Sequence, residues 1–294
     1  MPQIIQFTHP GPEHSHDKQN PFHKSWNISK HKRKFMHVKG QYVINDELKS
    51  GELMFWGEWE PPSTVIKLRA QITSFHPAWL HKPYLPDFIP NPISNNKSYQ
   101  NTDPFVFDKA FKYFICKQFK PKTGKTTKLS SLDKGSIILF GSTGNQNKPS
   151  PFFQLDTVFV IADYIDYDSS DPKALSSSEL DFYNKVVFKM AFPYPTEKSM
   201  KLRLYVGATY ENTFNGMYSF SPSKLYTKDN TTFPRLALKD LKYLTNNLNA
   251  APKTNVVSID DALQFWNKIR TISRENGLVE GVSFVHWKAN ELDL

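Results

Sequence analysis

Residues 53–72 read LMFWGEWEPPSTVIKLRAQI, and the architecture follows from how that stretch divides. Aromatic and β-branched side chains fill its two ends and Pro61-Pro62 separates them, so the pattern predicts one strand over residues 53–59 and a second over 65–72. Successive side chains of a strand point to opposite faces. Phe55, Gly57 and Trp59 are therefore expected on one face and Trp56, Glu58 and Glu60 on the other. Trp59 is expected to pack inward, leaving Trp56 beside two carboxylates on a face turned to a cleft.

Outward from there the chain reads as many short strands, at residues 3–7, 40–44, 105–119, 136–140, 152–162, 202–206, 216–220 and 282–287. Residues 120–128, 141–151 and the acidic 163–171 read as turns and loops, and residues 83–104, with five prolines, as a long irregular connection. Ser177, with Glu179 in the following turn, is placed to open a helix. Further helices are expected over 240–248 and 260–275. In the latter Leu263, Trp266, Ile269 and Ile272 recur at helical spacing before Gly277. This order predicts an α+β protein, mainly antiparallel β, with a barrel-like or strongly bent sheet core and helices mostly in the C-terminal half. Residues 1–294 are expected to form one compact domain, and a subdivision would fall near 83–104.

The apolar fraction of 39% and aromatic fraction of 14% are enough to build a core. Cys116 is the one cysteine, so an intramolecular disulfide is excluded and a reducing compartment is expected. The N-terminus lacks a basic segment followed by an apolar one, and no run of about 18 apolar residues occurs, which together predict a cytoplasmic protein without a membrane partner. The net charge of +9 favours an anionic partner, with basic residues crowded at Lys18, Lys24, Lys30, Lys32, Arg33, Lys34 and Lys39 and again over 109–128.

Eight of the nine histidines and four of the six tryptophans lie within the first 81 residues, and six of those histidines and all four tryptophans fall in HPGPEHSH (9–16), WNISKHKRKF (26–35), the 55–63 stretch and FHPAWLHK (75–82). Imidazole, carboxylate, guanidinium and indole are the groups that move protons, bind anions and stack on rings. Other motifs fail. Gly124-Lys125-Thr126 has Phe119 where a phosphate-binding loop needs glycine, and no GxGxxG or GxSxG occurs. Cys116 lies among Phe114, Ile115 and Phe119, an apolar setting that suppresses thiolate. His9, Glu13, His14 and His16 offer metal ligands that Glu58 or Glu60 would complete, although Pro10 and Pro12 rule out the helical zinc-peptidase arrangement.

Residues 132–140 (LDKGSIILF) and 153–161 (FQLDTVFVI) resemble the turn-then-strand pattern of PUA, ASCH and EVE barrels, with Ser136 where those turns usually carry aspartate. The resemblance covers residues 129–162 and implies a small β-barrel that binds RNA or modified bases. Overall the chain also resembles bacterial proteins associated with nucleotide modification.

The combined expectation is a protein directed at a nucleotide or nucleic acid. His9, Glu13, His14 and Glu58 are the candidates for acid/base catalysis. Trp26, Asn27, His31, Arg33, Lys34 and Trp56 are those for ligand binding, with Trp56 stacking and Arg33 contacting phosphate. Two alternatives stand beside it: a metal-dependent hydrolase using the His9–His16 loop, and a non-enzymatic interaction module with a basic face. Cofactor and oligomeric state are left open.

Overall fold

The computed structural model describes residues 1–14, 20, 22–28, 31–68, 77–91, 99–120, 123–144, 152–170, 175, 181–192, 199–245 and 252–292. Two mixed sheets dominate. The first runs in the order β13 (Lys253–Val256), β1 (Gln3–His9), β8 (Ile137–Gly144), β9 (Phe152–Asp168), β10 (Lys201–Gly207) and β7 (Lys112–Tyr113), with β12 (Leu236–Leu238) also on β9. The second runs β14 (Val279–Val285), β11 (Ser221–Leu225), β4 (Glu47–Gly57), β3 (Lys34–Ile44), β6 (Trp79–Pro83), β5 (Ser63–Lys67) and β2 (His23–Lys24). β1 lies parallel to β8 and β3 parallel to β6, whereas the hairpin β3–β4 is antiparallel along its whole length.

Part of the second sheet closes on itself, because β14 pairs with both β11 and β3. Closing so small a ring brings backbones together. A Cβ on Gly40 would lie 2.3 Å from the Ser283 carbonyl oxygen, and the β14–β3 register slips beside Gly281. The sheets join where Val158 and Phe220 exchange backbone hydrogen bonds of 2.8 and 2.9 Å.

Strand β1 explains how the cores divide. Ile5 and Phe7 pack with Trp59, Phe105, Phe107 and Tyr113, while Ile4 faces a second cluster holding Trp56, Leu139, Phe153 and Trp266. The same alternation puts Trp56 and Trp59 in different clusters. Helix α3 (Ile259–Glu275) begins at Ser258, whose hydroxyl accepts from Asp261 N, and ends before Gly277 at φ +68°. It buries Ala262, Phe265, Trp266, Ile269 and Ser273. A shorter helical stretch comprises α1 (Asp181–Tyr183), a π-helical turn (Asn184–Phe188) and α2 (Lys189–Ala191); Ser177 and Glu179 lie outside the described residues.

Several local expectations are corrected. β9 runs on through Asp168, so much of the acidic 163–171 segment is strand, paired with β10 from Asp168 to Asp163. Asp240 and Tyr243 stand at φ +52° and +71°, which turns the described part of 240–248 into loop. The expected strand at 216–220 is a turn closed by Phe214 and Met217, and β11 starts at Ser221. No helix among the described residues is long and apolar enough to cross a membrane.

Candidate active site

Where β1 ends, the chain turns through Pro10-Gly11-Pro12 and runs beside the start of β3. Arg33 N donates to Pro12 O at 2.9 Å and His14 N to Arg33 O at 2.8 Å. β4 ends at Gly57 beside Lys34, delivering Glu58 and Glu60 to the same place. His9, Glu13, His14, Asn27, Arg33, Lys34, Glu58 and Glu60 are all buried there, and His31, with 26% of its side chain exposed, is the most open of the group.

Glu58 is the hub. Its Oε2 meets His9 Nδ1 at 3.1 Å and Arg33 Nη2 at 3.0 Å, and its Oε1 accepts from Asp103 N at 3.1 Å and lies 3.2 Å from His31 Nδ1. Glu60 accepts from Asn27 Nδ2 at 2.6 Å and meets His31 Nδ1 at 2.9 Å, while His14 Nε2 stands 4.0 Å from Glu60 Oε2. Asp103 is a brace: its carboxylate accepts from the amides of Phe114, Ile115 and Cys116.

Burial would raise the carboxyl of Glu58, but the charges of His31 and Arg33 overcome it and hold the group well below its usual range. Burial also opposes charge on His31, yet Glu58 and Glu60 lift the ring to about 11. His9 goes the other way. Burial, aided by Arg33 and opposed by Glu58, brings it down to about 4, so at neutral pH it is an uncharged imidazole. With Nδ1–H given to Glu58, Nε2 keeps its lone pair; that nitrogen is buried and makes no hydrogen bond among the described residues. Desolvation likewise lowers Lys34 to about 7, its ammonium donating to Pro61 O at 3.1 Å.

Other expected residues sit differently from the simplest strand reading. Glu13 accepts from the amides of Ala78 and Trp79 at 2.9–3.0 Å, which makes it a brace for β6. Trp26 packs in the core and donates to Gln100 O. Trp56 is 5% exposed, against Phe35 on one side, with the Arg235 guanidinium 4.3 Å from its ring centre. Its ring is thus covered here by Arg235 in place of a base. Arg33 and Lys34 are 1% and 0% exposed, so these two belong to the interior and not to a basic surface. His16 and Lys30 fall outside the described residues.

Besides Asp103, three further participants escaped the sequence reading. Asp156 stands 3.6 Å from both Arg33 Nε and Arg235 Nε. It is the extra residue of a bulge, because Phe140 pairs with Thr157 and Gly141 with Leu155, and the bulge turns its side chain toward the site. Arg235, from the segment before β12, donates to Ser142 Oγ and Gly11 O. His81 on β6 shares a 2.9 Å hydrogen bond with Ser63 and lies with its ring centre 6.3 Å from that of His14.

A buried polar network that serves only the fold is expected to satisfy its members. Here His9 Nε2, both ring nitrogens of His14, His81 Nε2, both oxygens of Asp156, and Nε and Nη2 of Arg235 lack hydrogen-bond partners among the described residues, and Arg33 Nη2 meets Glu58 as an ion pair without hydrogen-bond geometry. Each such atom costs about 1–3 kcal/mol. Two cavities open elsewhere, one of 570 Å³ beside Leu85, Lys185 and His286, the other of 510 Å³ beside Asp166, Lys201 and Arg203. Comparison with family models, curated proteins and solved structures gives no significant match, so the reading of this cluster rests on its own geometry.

Proposed function

We propose that the chain is an enzyme that takes a nucleotide, free or within a nucleic acid, at the His9–Glu58–Arg33 centre and moves a proton on it. One observation carries this reading. His9 gives Nδ1 to a carboxylate that is itself fixed by Arg33, and keeps a buried, unpartnered Nε2. That is the arrangement of a general base whose orientation and tautomer are set by the group behind it. Arg33, Arg235 and charged His31 supply positive charge around the same point for a developing anion. The nucleotide class is favoured by the +9 net charge. The partial exposure of His31, the most open member, supports entry of a ligand from its side.

The test is turnover. Wild-type protein is incubated with nucleoside monophosphates, triphosphates and short DNA and RNA strands, and the products are followed by mass spectrometry. The reading expects one of these substrates to be changed by the wild type and left unchanged by His9→Asn, which keeps the Nδ1-type donor and removes the base. Failure of every substrate, or equal turnover by the variant, sinks it.

A further inference from the structure

Within the cluster three donor atoms converge: one atom each from His31, Glu58 and Glu60 lie within 4.8 Å of one another. Two carboxylates around one imidazolium explain part of this, and by themselves make only an ion-pair network. His14 makes the difference. It is 2% exposed, neither ring nitrogen has a hydrogen-bond partner, and its Nε2 is directed at the Glu60 carboxylate from 4.0 Å, too far for a hydrogen bond. An imidazole buried with no hydrogen-bond partner among the described residues is costly.

We infer that His14, His31, Glu58 and Glu60 form a binding site for a divalent first-row transition-metal ion. The spacing of three of the donors fits. Ligands about 2.0–2.1 Å from a tetrahedral ion lie about 3.3 Å from each other, and His31 Nδ1 stands 2.9 Å from Glu60 Oε1 and 3.2 Å from Glu58 Oε1. His14 Nε2 lies at the edge of this trio, 4.0 Å from the other Glu60 oxygen, Oε2, and would have to move inward to serve as the fourth donor. Nδ1 of His31, which now serves both carboxylates through one proton, would give that place to the ion. Mixed imidazole and carboxylate donors suit zinc, iron or manganese better than magnesium or calcium, which prefer all-oxygen sites. The groups behind the ligands are in place: Asn27 on Glu60, and His9, Arg33 and Asp103 N on Glu58.

This assigns the metal differently from the loop reading of the sequence. Among the described residues of that loop only His14 is a ligand, since Glu13 holds the amides of Ala78 and Trp79 and His9 stands behind Glu58. The inference stands independently of the nucleotide reading, because it is tested without any nucleotide.

Full-length protein is stripped with a chelator, then titrated calorimetrically with Zn²⁺ and Mn²⁺ and, for its absorption spectrum, with Co²⁺. The expected result is about one ion bound per chain and a Co²⁺ spectrum typical of low coordination number. His14→Ala and Glu60→Gln should each weaken binding by at least about 10- to 100-fold, whereas His37→Ala, whose ring pairs with Glu52 away from the cluster, should bind as the wild type does. If wild-type protein takes up no ion and gives a Co²⁺ spectrum like that of the free ion, the site does not exist. Unchanged binding by folded His14→Ala would overturn it equally. The wild-type spectrum decides the matter even where a variant fails to fold.

Discussion

The guanidinium of Arg33 and the carboxylate of Glu58 meet at 3.0 Å, with side chains 2% and 1% exposed, and the same carboxylate oxygen receives His9. Removing one partner of such a pair leaves the other charge buried and alone. Arg33→Met is expected to cost about 3–5 kcal/mol, read as the loss of unfolding free energy in urea. Arg33→Met combined with Glu58→Leu should recover part of that loss. A double variant whose loss equals the sum of the two single ones would mean that the pair is not coupled.

Trp56 and Trp59 are both buried, in separate clusters, and Trp59 also donates to Pro62 O at 2.9 Å. Alanine at either position opens a cavity. Each truncation is expected to lower stability by about 3–5 kcal/mol, so a nearly neutral Trp56→Ala would show that its ring lies open to a ligand after all.

Gly40 faces the Ser283 carbonyl at a distance that no Cβ tolerates. Gly40→Ala should therefore strain the β3–β14 closure and destabilise the protein by about 1–3 kcal/mol or more. Gly124, at φ +65° with nothing within 4 Å of an added Cβ, supplies the comparison. Alanine there meets only backbone strain, and thermal melts of the two variants should rank Gly40→Ala as the less stable.

The legible part of this protein is the alternation around Trp56, Glu58 and Trp59 and the concentration of histidine near the N-terminus. Alternation separates Trp56 from Trp59 because it is a property of extended backbone, and the His-rich loops gather because β1 and β4 end where β3 begins. Asp156 was hidden for the opposite reason. A bulge breaks the two-residue period, and from sequence Asp156 reads as one polar residue in an apolar strand. Arg235 comes to Gly11 across 224 residues, a contact that no local pattern encodes. The 240–248 segment is expected as a helix from its sequence, but positive φ at Asp240 and Tyr243 makes its described part a loop.

Burial, with the nearby carboxylates of Asp103 and Glu58, raises the thiol of Cys116 far above its ordinary value. Folded protein should react with iodoacetamide at pH 8 much more slowly than protein unfolded in guanidinium. Comparable rates, measured by mass spectrometry over time, would contradict the sheltered thiol and reopen Cys116 as a nucleophile.

Nucleotide binding at the proposed His9–Glu58–Arg33 centre is tested most directly by calorimetric titration of wild type and Glu58→Gln with a panel of nucleotides and short oligonucleotides, after circular dichroism shows that both are folded. Wild type should bind at least one of them saturably, with binding weakened about 10- to 100-fold in Glu58→Gln as a charged hydrogen-bonding hub is lost. Absence of binding across the panel, or equal affinity in the two proteins, would contradict it.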